Sequence, residues 1–193
     1  MSTQGTLLHS SDAEFVSGSV LAQTSWMLLF AGATAIGARL EVPHEPVPYT
    51  LQTMVVLLAG AFLGARNGAL SQIMYITSGL LGLPVFAGGG FGFATLLGPT
   101  GGYLLAFPAA ALITGGIIHE QKGSFRVLVG MVGGLAVIFA GGGAGLFLFT
   151  HDLQAAFWSG VMAFSWWDAM KLGAAVMMYR EIGKRWPLLP MPR

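Results

Sequence analysis

GGGFGFATLLGPTGGY, residues 88–103, is the stretch around which this chain is organised. It holds seven glycines in sixteen residues and lies between two apolar segments. Glycine reaches positive φ angles and lets the backbone approach a ligand closely, so the stretch predicts a backbone-built cradle that leads into a helix. A phosphate-binding loop is disfavoured, because no Gly-Lys-Ser/Thr follows and no βαβ pattern surrounds it. The remaining alternative is a plain turn between two membrane helices.

The composition places the chain in a membrane. Hydrophobic residues make up 54% of its 193 residues and charged residues 9%, against roughly 25% charged residues in soluble domains. The chain has no cysteine, which excludes disulfides and thiolate metal sites, and its net charge of +1 offers no basic face to nucleic acid. A chain of 193 residues accommodates about six transmembrane spans of roughly 20 residues each. We therefore predict an all-α integral membrane protein with six transmembrane helices.

The apolar segments give the predicted spans. They cover residues 21–38, 50–64, 69–83, 101–118, 125–149 and 166–179. The short turn at 64–68 predicts that the second and third spans are antiparallel neighbours. A last span starting at Ala155 would centre on Asp168, so an interfacial segment over 153–164 is preferred. That choice places Trp158, Trp166 and Trp167 at the membrane interface, where indole is enriched.

The domain organisation follows from these spans. We predict a cytoplasmic N-terminal tail over residues 1–20, one six-helix membrane domain over 21–181, and a cytoplasmic C-terminal tail over 182–193. No basic segment precedes the first apolar run, so a cleaved signal peptide is not expected.

Basic residues predict the orientation. With a cytoplasmic N-terminus, seven of them lie inside and only Arg39 lies in an outward loop. The seven are Arg66, Lys122, Arg126, Arg180, Lys184, Arg185 and Arg193. Two loops then face outward on the side of Asp168. The loop over 39–50 is stiffened by three prolines in six residues, and the other, over 83–100, carries the glycines. Together they predict a gated pocket.

Asp168 and Lys171 are ionisable residues in an apolar setting. Their i, i+3 spacing puts them on one helix face, and each costs roughly 2.5–3.5 kcal/mol at a helix centre in lipid. They either neutralise each other in a salt bridge or recognise a ligand in an apolar cavity.

Small residues dominate the second half of the first span. Ala31 and Ala35 lie four residues apart, which lets a neighbouring helix approach closely in lipid. The face serves either internal packing or docking to another subunit.

Four motifs resemble the BioY family in order and spacing. They are VPYTLQ at 47–52, GLPVF at 82–86, LGPTGGYL at 97–104 and DAMK at 168–171. The resemblance extends over about residues 26–180. It implies the fold of the S components of energy-coupling-factor (ECF) transporters, with ordered outward loops between helices 1–2 and 3–4. It also implies high-affinity capture and uptake of biotin at the cytoplasmic membrane. The implied partners are a T component and two ATP-binding-cassette ATPase subunits, and no cofactor is implied.

The resemblance also assigns the ligand site. Asp168 and Lys171 match the family's Asp-x-x-Lys and are implied to reach the polar head of biotin. The partner of Lys171 is left open between the ureido oxygen and the valerate carboxylate. Thr50, Gln52 and Tyr103 match pocket-lining positions.

Three further implications follow residue by residue. Gly89 and Gly90 belong to the loop that matches the family's lid. Ala31 and Ala35 correspond to the face that docks on the T component. The chain departs from the family where Trp166-Trp167 replaces the usual Pro-Gly, and there the indole of Trp167 is expected to pack on the fused rings.

Two other functions compete with biotin transport. An S component for a different vitamin would keep the six helices without these motifs. A membrane-embedded enzyme would use Asp168 as its base, but the four histidines lie in tails or turns and no nucleophile–base motif is present. No Walker motif occurs either, so ATP hydrolysis belongs to partners. We therefore expect no enzymatic activity in this chain.

Overall fold

A computed structural model describes residues 8–119, 124–158 and 166–185. Its elements, in chain order, are α1 (Leu8–Arg39), β1 (Glu41–Val42), β2 (Tyr49–Thr50), α2 (Gln52–Leu80), a 3-10 turn (Ala87–Gly89), α3 (Gly92–Leu96), α4 (Gly101–His119), α5 (Ser124–Thr150), α6 (Leu153–Ala156) and α7 (Trp166–Arg185). The predicted all-helical class is confirmed. The strands form a two-residue antiparallel hairpin that pairs Glu41 with Thr50, so the proline-rich loop connects the two strands of this hairpin.

Helix α2 folds back on itself at Gly64. This residue has φ 79° and ψ 176°, a combination that is essentially restricted to glycine. The two halves then run side by side, because a methyl group added at Gly68 would lie 2.8 Å from the Cα of Gly60. The predicted antiparallel neighbours are present, but the reversal needs one residue and not the five-residue turn predicted over 64–68.

Within the described residues, four helices are long and apolar enough to cross a membrane. They are Val20–Arg39, Gln52–Leu80, Gly101–Ile118 and Phe125–Thr150. Since α2 is folded at Gly64 and α7 is more polar, the count of six spans stays a prediction. The division into two tails and a membrane domain also stays a prediction. Among the described residues, α1 already covers Leu8–Arg39 and α7 extends to Arg185, so the helices reach beyond the apolar stretches that hydropathy marks.

The predicted interfacial segment over 153–164 is described only in part. Its first residues form α6, and Trp158 is exposed. Residues 159–165 lie outside the described residues.

Helix α1 turns Ala31, Thr34 and Ala38 toward the protein interior. Ala31 is only 9% exposed and belongs to a core cluster with Val56 and Tyr75, and Ala35 packs against that cluster. One turn along α1 from Ala31, the Thr34 hydroxyl donates to Gln72 Oε1 at 3.3 Å. The structure therefore shows that Ala31 and Ala35 take part in internal packing, and docking of these residues to a partner stays a prediction.

Helices α4 and α5 cross at a glycine seam. A methyl group added at Gly145 would lie 2.5 Å from the Cα of Gly102, and one added at Gly102 would lie 2.7 Å from the Cα of Gly145. Small residues allow such close approach in lipid, where packing and not the hydrophobic effect associates helices. This seam sets the position of Tyr103, the next residue along α4.

Candidate functional site

A cavity lies between the hairpin, the 3-10 turn and helices α2, α4, α5 and α7. It contains about 680 Å³ of space free of protein atoms, its open mouth included. Its lining residues are Val47, Pro48, Tyr49, Thr50, Gln52, Thr53, Phe86, Ala87, Thr100, Tyr103, Leu104, Phe107, Phe139, Asp168 and Lys171. Five residues singled out in the sequence, Thr50, Gln52, Tyr103, Asp168 and Lys171, are thus brought together around one space.

The polar end of the cavity is a buried ion pair. The Lys171 ammonium lies 2.6 Å from Asp168 Oδ1, and the two residues are 6% and 3% exposed. Lys171 Nζ also donates to the Thr50 carbonyl oxygen and to the Thr53 hydroxyl, both at 3.0 Å. An ammonium has three donors, and these three partners occupy all of them. Asp168 still offers acceptor positions, since a carboxylate has about four.

A network of hydrogen bonds between polar side chains joins α2 to the loop that precedes the 3-10 turn. The Thr50 hydroxyl donates to Gln52 Oε1 at 3.0 Å, the Gln52 amide donates to the Tyr75 hydroxyl, and Tyr75 donates to the Val85 carbonyl at 3.1 Å. Burying a polar group without a hydrogen-bond partner costs free energy. These hydrogen bonds therefore stabilise the part of the cavity wall that Gln52 forms. Gln52 lines the cavity and supports it at the same time.

Aromatic rings form the apolar wall. Tyr103 meets Phe139 edge-on with ring centroids 6.4 Å apart, and Tyr75 meets Phe86 edge-on at 5.6 Å. Phe107, one helical turn after Tyr103, completes the wall. Phe107, Phe139 and Thr53 also line the cavity and were not among the site residues predicted from the sequence. The i, i+4 spacing of Tyr103 and Phe107 was a usable signal, whereas nothing local marks Phe139.

The glycine loop is not the backbone cradle expected from its composition. The N–H groups of Gly89 and Gly90 donate to Phe86 and Ala87 carbonyls at 3.1 and 3.0 Å, and Gly88 N–H donates to Glu41 Oε2 at 3.0 Å. These amides are used inside the protein. Positive φ angles at Gly88 and Gly89 show that the glycines serve a tight turn.

Three predicted ligand contacts lie away from the lining. Among the described residues, the cavity wall includes Ala87 but not Gly89, Gly90 or Trp167. Their contact with a ligand stays a prediction.

The two loops at the mouth are joined to each other. The Arg39 guanidinium donates to the Pro84 carbonyl oxygen, and Glu41 accepts from Gly88. The hairpin loop and the glycine loop therefore lie at the same end of the helices as Asp168, as the sequence predicted.

An all-helical chain with several membrane-length helices around a partly apolar cavity that ends in one buried ion pair is a multi-pass membrane protein that binds a small ligand. The BioY family model matches residues 9–188. The chain therefore belongs to the BioY family.

Relatives and a solved structure agree with this assignment. A biotin transporter BioY of Thermotoga maritima is 38% identical over 157 residues, which are 81% of this chain and 92% of the relative. A probable biotin transporter BioY of Pyrococcus horikoshii is 42% identical over 160 residues, which are 83% and 95%. The fold resembles the crystal structure of the S component for biotin from an ECF-type ABC transporter, with a TM-score of 0.79, 25% identity and coverage of 86% and 93% of the two chains. This similarity confirms the predicted S-component fold.

Proposed function

We propose that this protein captures biotin and takes it up across the cytoplasmic membrane as the substrate-binding subunit of an ECF transporter. The observation that carries the proposal is the buried Asp168–Lys171 pair at the polar end of an aromatic cavity, in a chain of the BioY family. Its role is binding and transport, not catalysis.

The cavity suits the chemistry of biotin. The ureido N–H groups of biotin are donors that the Asp168 carboxylate can accept, and the sulfur-containing ring is apolar enough for the Tyr103, Phe86 and Phe139 wall. Lys171 already has three acceptors. We therefore assign Asp168 as the direct ligand contact and Lys171 as the residue that orients the carboxylate.

The energy for uptake comes from partners. We infer a T component and two ATPase subunits, because the chain resembles the S component for biotin from an ECF-type ABC transporter. Since Ala31 is buried against α2, we place the docking surface on the other side of α1, where Leu28, Gly32 and Ile36 are exposed. A methyl group added at Gly32 would meet no atom within 4 Å, so a partner helix can approach closely there.

The orientation of the protein follows from charge. The seven-to-one distribution of basic residues supports cytoplasmic termini and an outward cavity mouth. Biotin then enters from outside between the two joined loops.

The test of the proposed function is equilibrium binding of biotin to the detergent-purified protein. We expect saturable binding at one site per chain, with no competition from thiamin or riboflavin in large excess. Competition by either vitamin would indicate an S component of different specificity. Absence of biotin binding to monodisperse, folded protein would contradict the proposal.

The contacts between the two mouth loops are expected to slow ligand release. Arg39→Ala and Glu41→Ala each remove a bond to the glycine loop, and a hydrogen bond contributes about 0.5–1.5 kcal/mol. We therefore expect biotin to dissociate roughly 2- to 10-fold faster from each variant. Release of radiolabelled biotin into excess unlabelled biotin measures this rate.

Glu45→Ala is the matched control, because Glu45 is an exposed carboxylate of the same hairpin loop. Its release rate should equal that of the unmodified protein. Equal rates in all three variants would show that these bonds do not hold the mouth closed.

A further inference from the structure

Two of the aromatic rings that line the cavity rest on glycines. The ring of Tyr103 lies so close to Gly142 of α5 that an added methyl group would overlap ring carbons Cδ1, Cε1 and Cζ. Phe139, one turn earlier on α5, meets the same ring edge-on. Helix α5 thus forms a recess in which Tyr103 lies, and Gly142 is the bottom of that recess.

The ring of Phe86 lies against a glycine in the same way, and this glycine belongs to α2. A methyl group added at Gly79 of α2 would lie 2.6 Å from both Cε1 and Cε2 of the Phe86 ring. Phe86 is only 1% exposed and also contacts Tyr75 edge-on. The ring therefore cannot move away from Gly79 into neighbouring side chains without displacing them.

The free space next to both rings is the cavity that they line. Protein interiors are close-packed, so a ring pushed away from its glycine moves toward that space. Gly79 and Gly142 are themselves outside the lining. They act on the ligand only through the rings that rest on them.

We propose that Gly142 and Gly79 are positioning residues that set the width of the cavity, and thereby its selectivity for a bicyclic ligand over a thinner one. This inference rests on the proposed binding of biotin. Other crowded glycines differ in kind: Gly145 and Gly60 abut the backbone of Gly102 and Ala111, so they affect helix packing and not a single lining ring.

The test compares biotin with desthiobiotin, which keeps the ureido ring but lacks the sulfur ring and is thinner. For Gly142→Ala and Gly79→Ala we expect biotin affinity to fall roughly 30-fold, the middle of the usual range for overpacking. Desthiobiotin affinity should fall less, so the ratio of the two affinities changes. A fall of equal size for both ligands would overturn the proposal, because loss of folded protein lowers both alike.

Two control variants lie on α5. Gly133→Ala adds a methyl group at an ordinary 3.5 Å from Ile117 and should leave both affinities unchanged. Gly145→Ala crowds the Gly102 backbone and should lower the folded fraction without changing the affinity ratio. A changed ratio in Gly145→Ala would assign the effect to helix packing and overturn the assignment to Gly142.

A double variant separates the ring from the glycine. In a Tyr103→Ala background, Gly142→Ala should cause no further change in the affinity ratio, because the ring that it displaces is gone. An undiminished effect in that background would overturn the proposal.

A measurement without ligand tests the effect of Gly142 on the cavity width independently of biotin binding. The chain has no cysteine, so Ala87→Cys places a unique thiol on the cavity wall. We expect Gly142→Ala to slow its reaction with a bulky thiol reagent more than with a small one. This result together with no biotin binding by the unmodified protein would reject the ligand and retain the cavity-width role. Unchanged relative rates would reject that role.

Discussion

Asp168→Asn is expected to weaken biotin binding about 100-fold. The amide keeps the shape of the carboxylate but removes its charge, which leaves the Lys171 ammonium buried without a counterion. The unpaired ammonium destabilises the free and the bound protein alike, whereas the affinity falls because the ligand loses a charged acceptor. Hydrogen bonds to charged groups contribute about 1.5–3 kcal/mol, and each 1.4 kcal/mol of lost binding free energy is tenfold in affinity. Equilibrium binding to protein shown to be monodisperse measures the loss.

A companion variant tests the roles assigned to the pair. Lys171→Met removes the ammonium that holds Asp168, so binding should weaken although Lys171 itself does not touch the ligand. The double variant should regain folding stability, since no unpaired charge remains, yet bind no better than Asp168→Asn. If the double variant bound biotin normally, Asp168 would not be the ligand contact.

Asp152→Asn is the matched control for this series. Asp152 is exposed and caps the Gln154 N–H with its Oδ1 at 2.8 Å, outside the cavity lining. Its affinity for biotin should be unchanged. Equal affinities in Asp168→Asn and Asp152→Asn would contradict the site.

Gly145→Leu is expected to cause the largest loss of folded protein. The backbones of α4 and α5 meet at Gly102 and Gly145, and backbone cannot rotate away as a side chain can. Overpacking costs typically 1–3 kcal/mol, and we expect about 3 kcal/mol here because both helices must separate. The fraction of monodisperse protein that survives heating in detergent measures this effect.

Gly116→Leu controls for the loss of a glycine as such. A methyl group added at Gly116 on α4 meets no atom within 4 Å, so this variant should be as heat-resistant as the unmodified protein. Similar survival of the Gly145 and Gly116 variants would show that the seam is not a close backbone contact.

Much of the candidate site could be predicted from local patterns. The i, i+3 spacing of Asp168 and Lys171 was enough to place both groups on one helix face, and the structure finds them 2.6 Å apart. Thr50, Gln52 and Tyr103 lie in motifs that could be compared directly with a family. Their contact with biotin stays a prediction until binding is measured.

Other features of the site could not be predicted from local sequence patterns. Glycine density suggested a ligand cradle, but the amides of Gly88, Gly89 and Gly90 are used by Glu41, Phe86 and Ala87. The amino-acid composition of a loop indicates which backbone torsions the loop can adopt. It does not indicate which acceptors will bind the N–H groups of the loop. The bonds from Lys171 to Thr50 and Thr53 join residues more than a hundred positions apart and have no local signal.

The amino-acid sequence was enough to predict the membrane as the solvent, the helical class and the polar groups that the membrane interior must contain. These properties depend on composition and short-range spacing. The partition of a segment into lipid and the backbone torsions of its residues are set by that segment and its near neighbours in the sequence. The tertiary structure alone decided that Ala31 faces inward, that α2 reverses at one glycine, and that Gly142 supports Tyr103. In lipid both faces of a helix are apolar, so hydrophobic pattern does not distinguish the buried side from the exposed one. That distinction is made only when helices pack against each other.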